Sequence, residues 1–375
     1  MPKSEFDPFI TQIGESVDQL VTLDVMCYGV IGPLYRGARA AQGDAPLCLQ
    51  AATLLRERLA GGGTAVITTG LILPGHHPYG ETDGPIGTAV LARALALGLS
   101  SRVLVVTEPE LTGLVAALLR TIGLQVVGPD AFADEDGRHR PVACVLPLSR
   151  EARTAAAEAS AYFDRFDARA LIAIEKAGAN AKGVYHMVGG KDLTPTVSKA
   201  RALFDEASRR GVLAIGIGDR GNELGLGPLA ATAQALLPFG KECGCPCHGG
   251  VADETPSDLA VPAVISNWGA YGVAACLAAL LDDADLIHTA DVERALFDTA
   301  VREGGVDGMS GRAIAAADGV GVEENVAVVN LLREIHRAQS ARNPSPFSTP
   351  LIRRESTRAP GSPAHPQSNS HRRNS

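Results

Sequence analysis

Short runs rich in Val and Ile recur along this chain, each followed by a longer stretch rich in Ala and Leu, and that alternation constrains the fold more than any other feature. Residues 64–69, 102–107, 142–146, 170–174, 212–217 and 259–265 read as strands. Residues 88–97, 109–122, 150–166, 196–210 and 268–281 carry apolar side chains at helical spacing between or after them. Strand and helix in alternation form parallel sheets, because each connection is long enough for a right-handed crossover. The expected fold class is α/β: a mostly parallel sheet of six or more strands with helices on both faces, a Rossmann-like three-layer architecture. A further helix is expected at 47–60, with an irregular but apolar, packed segment before it, and a last helix pair at 291–302 and 323–339. The domain reading is an extension over 1–17, an α/β body over 18–338 and a Ser/Pro/Arg-rich tail over 339–375, too poor in apolar residues to offset its ordering entropy and so disordered.

Composition narrows the function classes. With 20% charged residues, a net charge of -8 and 4% aromatics, the chain lacks the basic patches and stacking platforms of a nucleic-acid surface. No run approaches the roughly 18 consecutive apolar residues of a membrane span, and the amino end has no signal-peptide core. A cytoplasmic protein acting on a small molecule is expected, with no nucleic-acid or membrane partner and with homo-oligomerisation left open. Seven cysteines are an odd number for a disulfide framework, and Cys27, Cys48, Cys144 and Cys276 sit among apolar residues as core thiols.

The segment GIGDRGNELGLG follows the strand at 212–217 and sets five glycines around Asp219, Asn222 and Glu223. It contains GxGxxG at Gly216, Gly218 and Gly221, yet a dinucleotide site needs a helix opening at the third glycine. Gly225, Gly227 and Pro228 break that helix, and Asp219 would meet the pyrophosphate with like charge, so no nucleotide cofactor is expected. Carboxylates flanking an amide suit a hard divalent cation, Mg²⁺ or Mn²⁺. A tight turn in which Asp219 bonds its own backbone is the structural alternative.

Two other strand ends carry polar loops. After 64–69 comes a glycine and proline loop with His76, His77, Glu81 and Asp83. Asp83 suits a helix N-cap or a metal ligand equally well. After 170–174 come Glu175 and Lys176, read either as a structural ion pair or as a base or ligand beside an anion anchor, with Tyr185 and His186 as loop packing. Ser266 or Asn267 is a candidate cap for the helix at 268–281, with its amide groups open to a substrate carboxylate. Asp307, with Arg312 nearby, either closes the site or makes a surface turn. The cluster KECGCPCHGG sets Cys243, Cys245, Cys247 and His248 within one turn. That spacing fits a tetrahedral zinc site poorly, leaving zinc, a reactive thiol and a reduced loop at the edge of the site as open readings.

The segments GHHPYGETDGPIGTAVLARAL, AIEKAGANAKGVYHMVGG, GIGDRGNELGLG, SNWGAYGVAACLAAL and GGVDGMSGR, in that order, resemble the carboxyl-terminal domain of the D-glutamate cyclases, which also occurs as a stand-alone protein. The likeness covers about residues 18–332. In the mammalian cyclase a hydro-lyase-like domain precedes the one resembled here, and none is expected in this chain. The resemblance implies dehydration of D-glutamate to 5-oxo-D-proline, a hydro-lyase type of reaction in which the α-amine attacks the γ-carboxyl carbon. Chemistry and position then suggest the roles: Asp83, Asp219 and Glu223 as metal ligands, Glu175 as base or fourth ligand, Lys176 or His77 as acid, and Asn222, Asn267 and Gly84 as substrate contacts. A metal-dependent hydrolase of a phosphorylated or carboxylated metabolite and a noncatalytic ligand-binding module are the competing readings.

Overall fold

Neighbouring residues of the central strands face opposite apolar layers, as a sheet buried on both sides requires. The computed structural model describes residues 7–73, 75–135 and 140–340. In it, β1 (Thr64–Thr69) sends Ala65 and Ile67 into one layer and Val66 into the other. β2 (Arg102–Thr107) divides Val103 and Val105 from Leu104 and Val106 in the same way. β3 (Gln125–Val126), β4 (Val142–Pro147), β5 (Ala168–Ile174), β6 (Leu213–Gly218) and β7 (Leu259–Pro262) complete a seven-stranded sheet of order β3-β4-β2-β1-β5-β6-β7. Every neighbouring pair in it is parallel.

One layer contains α1 (Pro8–Val21), α2 (Ile31–Gln42), α3 (Leu47–Arg58), α4 (Asp83–Leu99) and α5 (Thr112–Thr121). The opposite layer is α6 (Pro129–Asp134), α7 (Ala152–Phe166) and α8 (Arg201–Arg210), packed through Phe132, Phe163, Phe166 and Phe204. α9 (Ala230–Leu236), α10 (Ser266–Leu281), α11 (Ala290–Arg302) and α12 (Val322–Ser340) return to the first layer. A small antiparallel pair, β8 (Ala316–Ala317) and β9 (Val320–Gly321), precedes α12.

The three-layer α/β expectation holds, and all the expected strands are present. β3 has only two residues, too few for a period to register. The amino-terminal segment read as irregular is instead α1 and α2. Asp7 caps α1 by accepting from the Phe9 amide at 2.8 Å, and Ile13, Val17 and Val21 recur at helical spacing on its buried face. Gly32, Pro33 and Gly37 hide α2 from propensity arguments, while Leu34 and Ala38 bury it. α1 runs through residues 17 and 18 without a break. The chain divides into units Met1–Ser340 and Ala341–Ser375, and from residue 341 the expected tail lies outside the described residues. No helix among the described residues is long and apolar enough to cross a membrane.

From β1 the chain adds strands on one side through β2 and β4, then on the other through β5, β6 and β7. The winding direction therefore reverses between β1 and β5. In an open parallel sheet the crevice beyond the carboxyl ends of the strands at such a point is where ligands bind.

Candidate functional site

The loops leaving β1, β5 and β6 meet in that crevice. Glu175 directly follows β5 with φ of 43°, a left-handed conformation unusual for a side chain with a Cβ. Two backbone bonds fix it, from Gly70 N to its carbonyl at 3.0 Å and from its own N–H to Ile217 O at 3.2 Å. Its Oε2 accepts from the Ser266 hydroxyl at 2.5 Å. Asp219 directly follows β6, and the glycine loop then folds Glu223 back beside it. The Glu223 carboxylate accepts from Gly221 N at 2.7 Å and Arg220 N at 3.2 Å. A Cβ on Gly218 would lie 2.7 Å from Glu223 Cβ, so this return is open only to glycine. One oxygen from each of Glu175, Asp219 and Glu223 lies within 4.8 Å of the other two, and all three residues are buried.

More acids surround this triad. Asp83 is the first residue of α4 rather than its N-cap, which is Thr82, and its Oδ2 has no hydrogen-bond partner. Gly84 brings α4 down onto the triad: a Cβ there would meet Thr69 Oγ1 at 2.7 Å and Glu175 Cβ at 2.8 Å. Glu81, on the loop after β1, and Asp318, in the turn between β8 and β9, are also buried. Arg220 is the cation in contact, with Nη2 at 2.8 Å from Asp318 and 3.7 Å from Asp219. Burial raises the carboxyl groups of Glu81, Asp83, Glu175 and Asp318 well above the usual range, and charges of other members of the set raise them further. Asp219 is pushed up to about 7 by burial, against the lowering influence of Arg220.

Several polar atoms without a hydrogen-bond partner belong to residues at or beside these strand ends. Among the described residues, both Asp219 oxygens, Asp83 Oδ2, Asn222 Oδ1, Asn267 Oδ1 and Thr69 Oγ1 are buried without a hydrogen-bond partner. Buried polar atoms are nearly always satisfied, so an accumulation at one place marks a ligand position.

The remaining sequence candidates are placed differently. Lys176 does not pair with Glu175: its ammonium lies 2.5 Å from Glu108 Oε1 and 3.0 Å from Gly70 O. The Asn222 amide donates to His186 O at 3.2 Å, and that of Asn267 to Asn325 Oδ1 at 2.9 Å and Tyr271 Oη at 3.1 Å. Ser266 is likewise inside α10, whose cap is Ile265. His77 is wholly buried and 3.1 Å from Glu81 Oε1, in poor alignment for a hydrogen bond. Burial, aided by His76, pushes its ring down to about 4. Asp307 closes a turn by accepting from Ser310 N and Gly319 N.

The cysteine cluster recruits His186 rather than its neighbour His248. His186 Nε2 and the Cys243, Cys245 and Cys247 sulfurs lie within 4.8 Å of one another, whereas His248 is exposed beside Glu242. A surface groove of about 660 Å³ beside Asp167, Arg169 and Arg210 is at the amino ends of the strands, away from the acids. A pocket of about 20 Å³ beside Asp219 and Arg220 is lined by Asp24, Met26, Tyr28, Val30, Ile31 and Val264.

The family model for the D-glutamate cyclase-like, C-terminal domain matches residues 31–333, which include every acid of the crevice. The chain belongs to this family. Among curated proteins, the D-glutamate cyclase, mitochondrial, of Homo sapiens is 28% identical over 219 residues, 57% of this chain and 32% of that protein. The aligned part thus spans about a third of the human relative's length. For this member of the D-glutamate cyclase-like family, sequence reading gathered Asp83, Glu175, Asp219 and Glu223, with Asp83 as a ligand and Glu175 as base or fourth ligand; it gave Glu81 no role and did not single out Asp318 or Arg220. Asp318 sits in an ordinary-looking Asp-Gly turn, and only the packing of that turn against Arg220 marks it.

Proposed function

We propose that the acidic crevice binds a divalent cation of the Mg²⁺ or Mn²⁺ type and that the chain dehydrates D-glutamate to 5-oxo-D-proline. The observation that carries this reading is Asp219, with both carboxylate oxygens buried and without a hydrogen-bond partner in the group it forms with Glu175 and Glu223, and, among the described residues, only Arg220 Nη2 at 3.7 Å to offset its charge. Three carboxylates facing one another suit a hard cation that takes oxygen ligands, and without one their charges repel. Asp219, Glu223 and Glu175 would hold the ion. When bound, it would neutralise the substrate's γ-carboxylate and stabilise charge developing on its oxygens.

The chain's own residues account for the rest. Ring closure forms a C–N bond and breaks a C–O bond, and two protons pass from the ammonium nitrogen to the departing oxygen, which leaves as water. Asp83 Oδ2 is the acceptor and later donor in this transfer, since it is free of hydrogen bonds and burial keeps its basicity above that of an ordinary carboxylate. It replaces Lys176, whose ammonium is occupied by Glu108, and His77, which burial keeps neutral. Asn222 Oδ1 and Asn267 Oδ1 accept from the substrate ammonium, and Arg220 binds its α-carboxylate at the mouth. Gly84 acts by leaving room rather than by contact. The pocket of about 20 Å³ beside Asp219 takes one water at most, so entry of substrate by this side requires the segment from Asp24 to Val30 to move.

The test is incubation of the purified protein with Mg²⁺ or Mn²⁺ and either D- or L-glutamate, followed by chiral chromatography of 5-oxoproline. Product from neither isomer removes the cyclase reading. Phosphate release from phosphorylated metabolites would point to the hydrolase, and stabilisation by D-glutamate without turnover to a binding module.

A further inference from the structure

We infer that Cys243, Cys245, Cys247 and His186 form a second, separate metal site that takes a soft tetrahedral cation of the Zn²⁺ class and clasps two loops together. The four ligand atoms lie within 4.8 Å of one another, close to the edges of a coordination tetrahedron. Cys243 Sγ stands 3.3 Å from both Cys245 Sγ and Cys247 Sγ, and His186 Nε2 stands 3.2 Å from Cys245 Sγ and 3.7 Å from Cys247 Sγ. Zinc–sulfur bonds of about 2.3 Å and zinc–nitrogen bonds of about 2.0 Å imply tetrahedral edges of about 3.5–3.8 Å. Shifts of a few tenths of an ångström bring the observed set to those values. A disulfide needs the sulfurs at about 2.0 Å, and every cysteine of the chain is free.

The surroundings favour metal-bound thiolates over thiols. Cys245 Sγ accepts from Cys247 N at 3.4 Å, and Cys247 Sγ accepts from Gly249 N at 3.3 Å and Asn180 Nδ2 at 3.5 Å. The His186 Nδ1 lies 3.2 Å from Val184 O, which fixes the proton on that nitrogen and leaves the Nε2 lone pair for a ligand bond. The Cys-x-Cys-x-Cys spacing is strained only if His248 must be the fourth ligand. With His186 supplied from the loop after β5, three residues of one turn meet one residue of another, and the set is complete without water. Sulfur and imidazole select zinc over the oxygen-seeking ions suited to the acidic crevice, so the two sites take different metals. The main-chain carbonyl of His186 accepts from Asn222, next to Glu223, and the clasp thereby holds the acidic loop from behind.

Cobalt(II) loading of the full-length protein, purified under reducing conditions, tests this independently of any catalytic assay. One thiolate-bound Co²⁺ per chain is expected, separate from any ion in the acidic crevice, with thiolate-to-cobalt charge-transfer absorption and intense visible bands of a tetrahedral ion, displaced by one equivalent of Zn²⁺. Cys245→Ser and Cys247→Ser should remove the charge-transfer band, His186→Cys should keep it with a shifted spectrum, and Asp219→Asn should leave it unchanged. If the serine variants fail to fold, release of bound Zn²⁺ from the wild-type protein by an organomercurial thiol reagent replaces them. Reduced wild-type protein that binds Co²⁺ without sulfur charge transfer, or that contains a disulfide among these cysteines by mass, overturns the proposal.

Discussion

Replacing Lys176 with Met separates a structural role from a chemical one. The Lys176 ammonium and the Glu108 carboxylate are almost wholly buried, 1% and 0% exposed, and 2.5 Å apart. Glu108 also accepts from Ser198 N at 2.9 Å and from the Ser198 hydroxyl, so two donors would remain after the lysine is gone. Methionine keeps most of the apolar stem and removes the charge. A buried carboxylate is then left without its cation, and Gly70 O loses the lysine as a donor. Breaking a buried pair in this way costs about 3–5 kcal/mol. At about 2–4 °C per kcal/mol for a large domain, the melting temperature should fall by on the order of 10 °C. Adding Glu108→Gln removes the stranded charge and should recover most of that loss, because a buried pair replaced as a unit is often close to neutral. Circular dichroism melts of the single and double variants give the stability, and D-glutamate turnover well below both transitions gives the function. A single variant that melts with the wild type but has lost turnover would refute the reasoning and return Lys176 to the chemistry.

Asp219→Asn should abolish the rise in melting temperature that saturating Mg²⁺ or Mn²⁺ gives the wild type, a rise worth about 2.7 kcal/mol at a hundredfold excess over Kd. In chelator the same variant should melt no lower than wild type, since one repelling charge is gone. Differential scanning fluorimetry reads both arms, and a cation response retained by the variant contradicts the ligand assignment. Gly84→Ala presses a methyl against Thr69 Oγ1 and Glu175 Cβ at 2.7 and 2.8 Å, so urea titration should show a loss of about 1–3 kcal/mol together with weaker cation binding. For His77, whose ring burial pushes down to about 4, the folded state binds fewer protons than the unfolded chain between that value and about 6.5. Its contribution is thus whole above about pH 6.5 and is lost as pH falls toward 4, by about 3 kcal/mol at most. His77→Gln should flatten stability over that window, and an unchanged pH profile would show that the ring titrates freely.

Much of the fold was legible because strands buried on both faces leave unbroken apolar runs: Val103 to Val106 could be nothing else. The carboxyl-end rule then gathered Asp83, Glu175, Asp219 and Glu223 at one place, with Asp83 rather than Glu175 in the ligand trio. What stayed hidden depended on packing between distant segments. Lys176 follows Glu175 in sequence, yet the chain turns at the positive φ of Glu175 and sends the lysine to Glu108. Asp83 read equally as a cap or a ligand because Asp-Gly-Pro is capping chemistry; the helix instead starts one residue earlier, after Thr82, and leaves its Oδ2 without a hydrogen-bond partner. His186 carried no signal of its own, since its sulfur partners lie on a separate loop. In α2, glycine and proline concealed a helix that burial alone sustains.

The central claim is that Glu175, Asp219 and Glu223 share one divalent ion. Anomalous diffraction at the manganese edge, from crystals equilibrated with Mn²⁺, locates the ion directly. The account predicts a manganese peak bonded to an oxygen of each of these three side chains. Manganese found only elsewhere, with the three carboxylates bridged by protons or water, would contradict it.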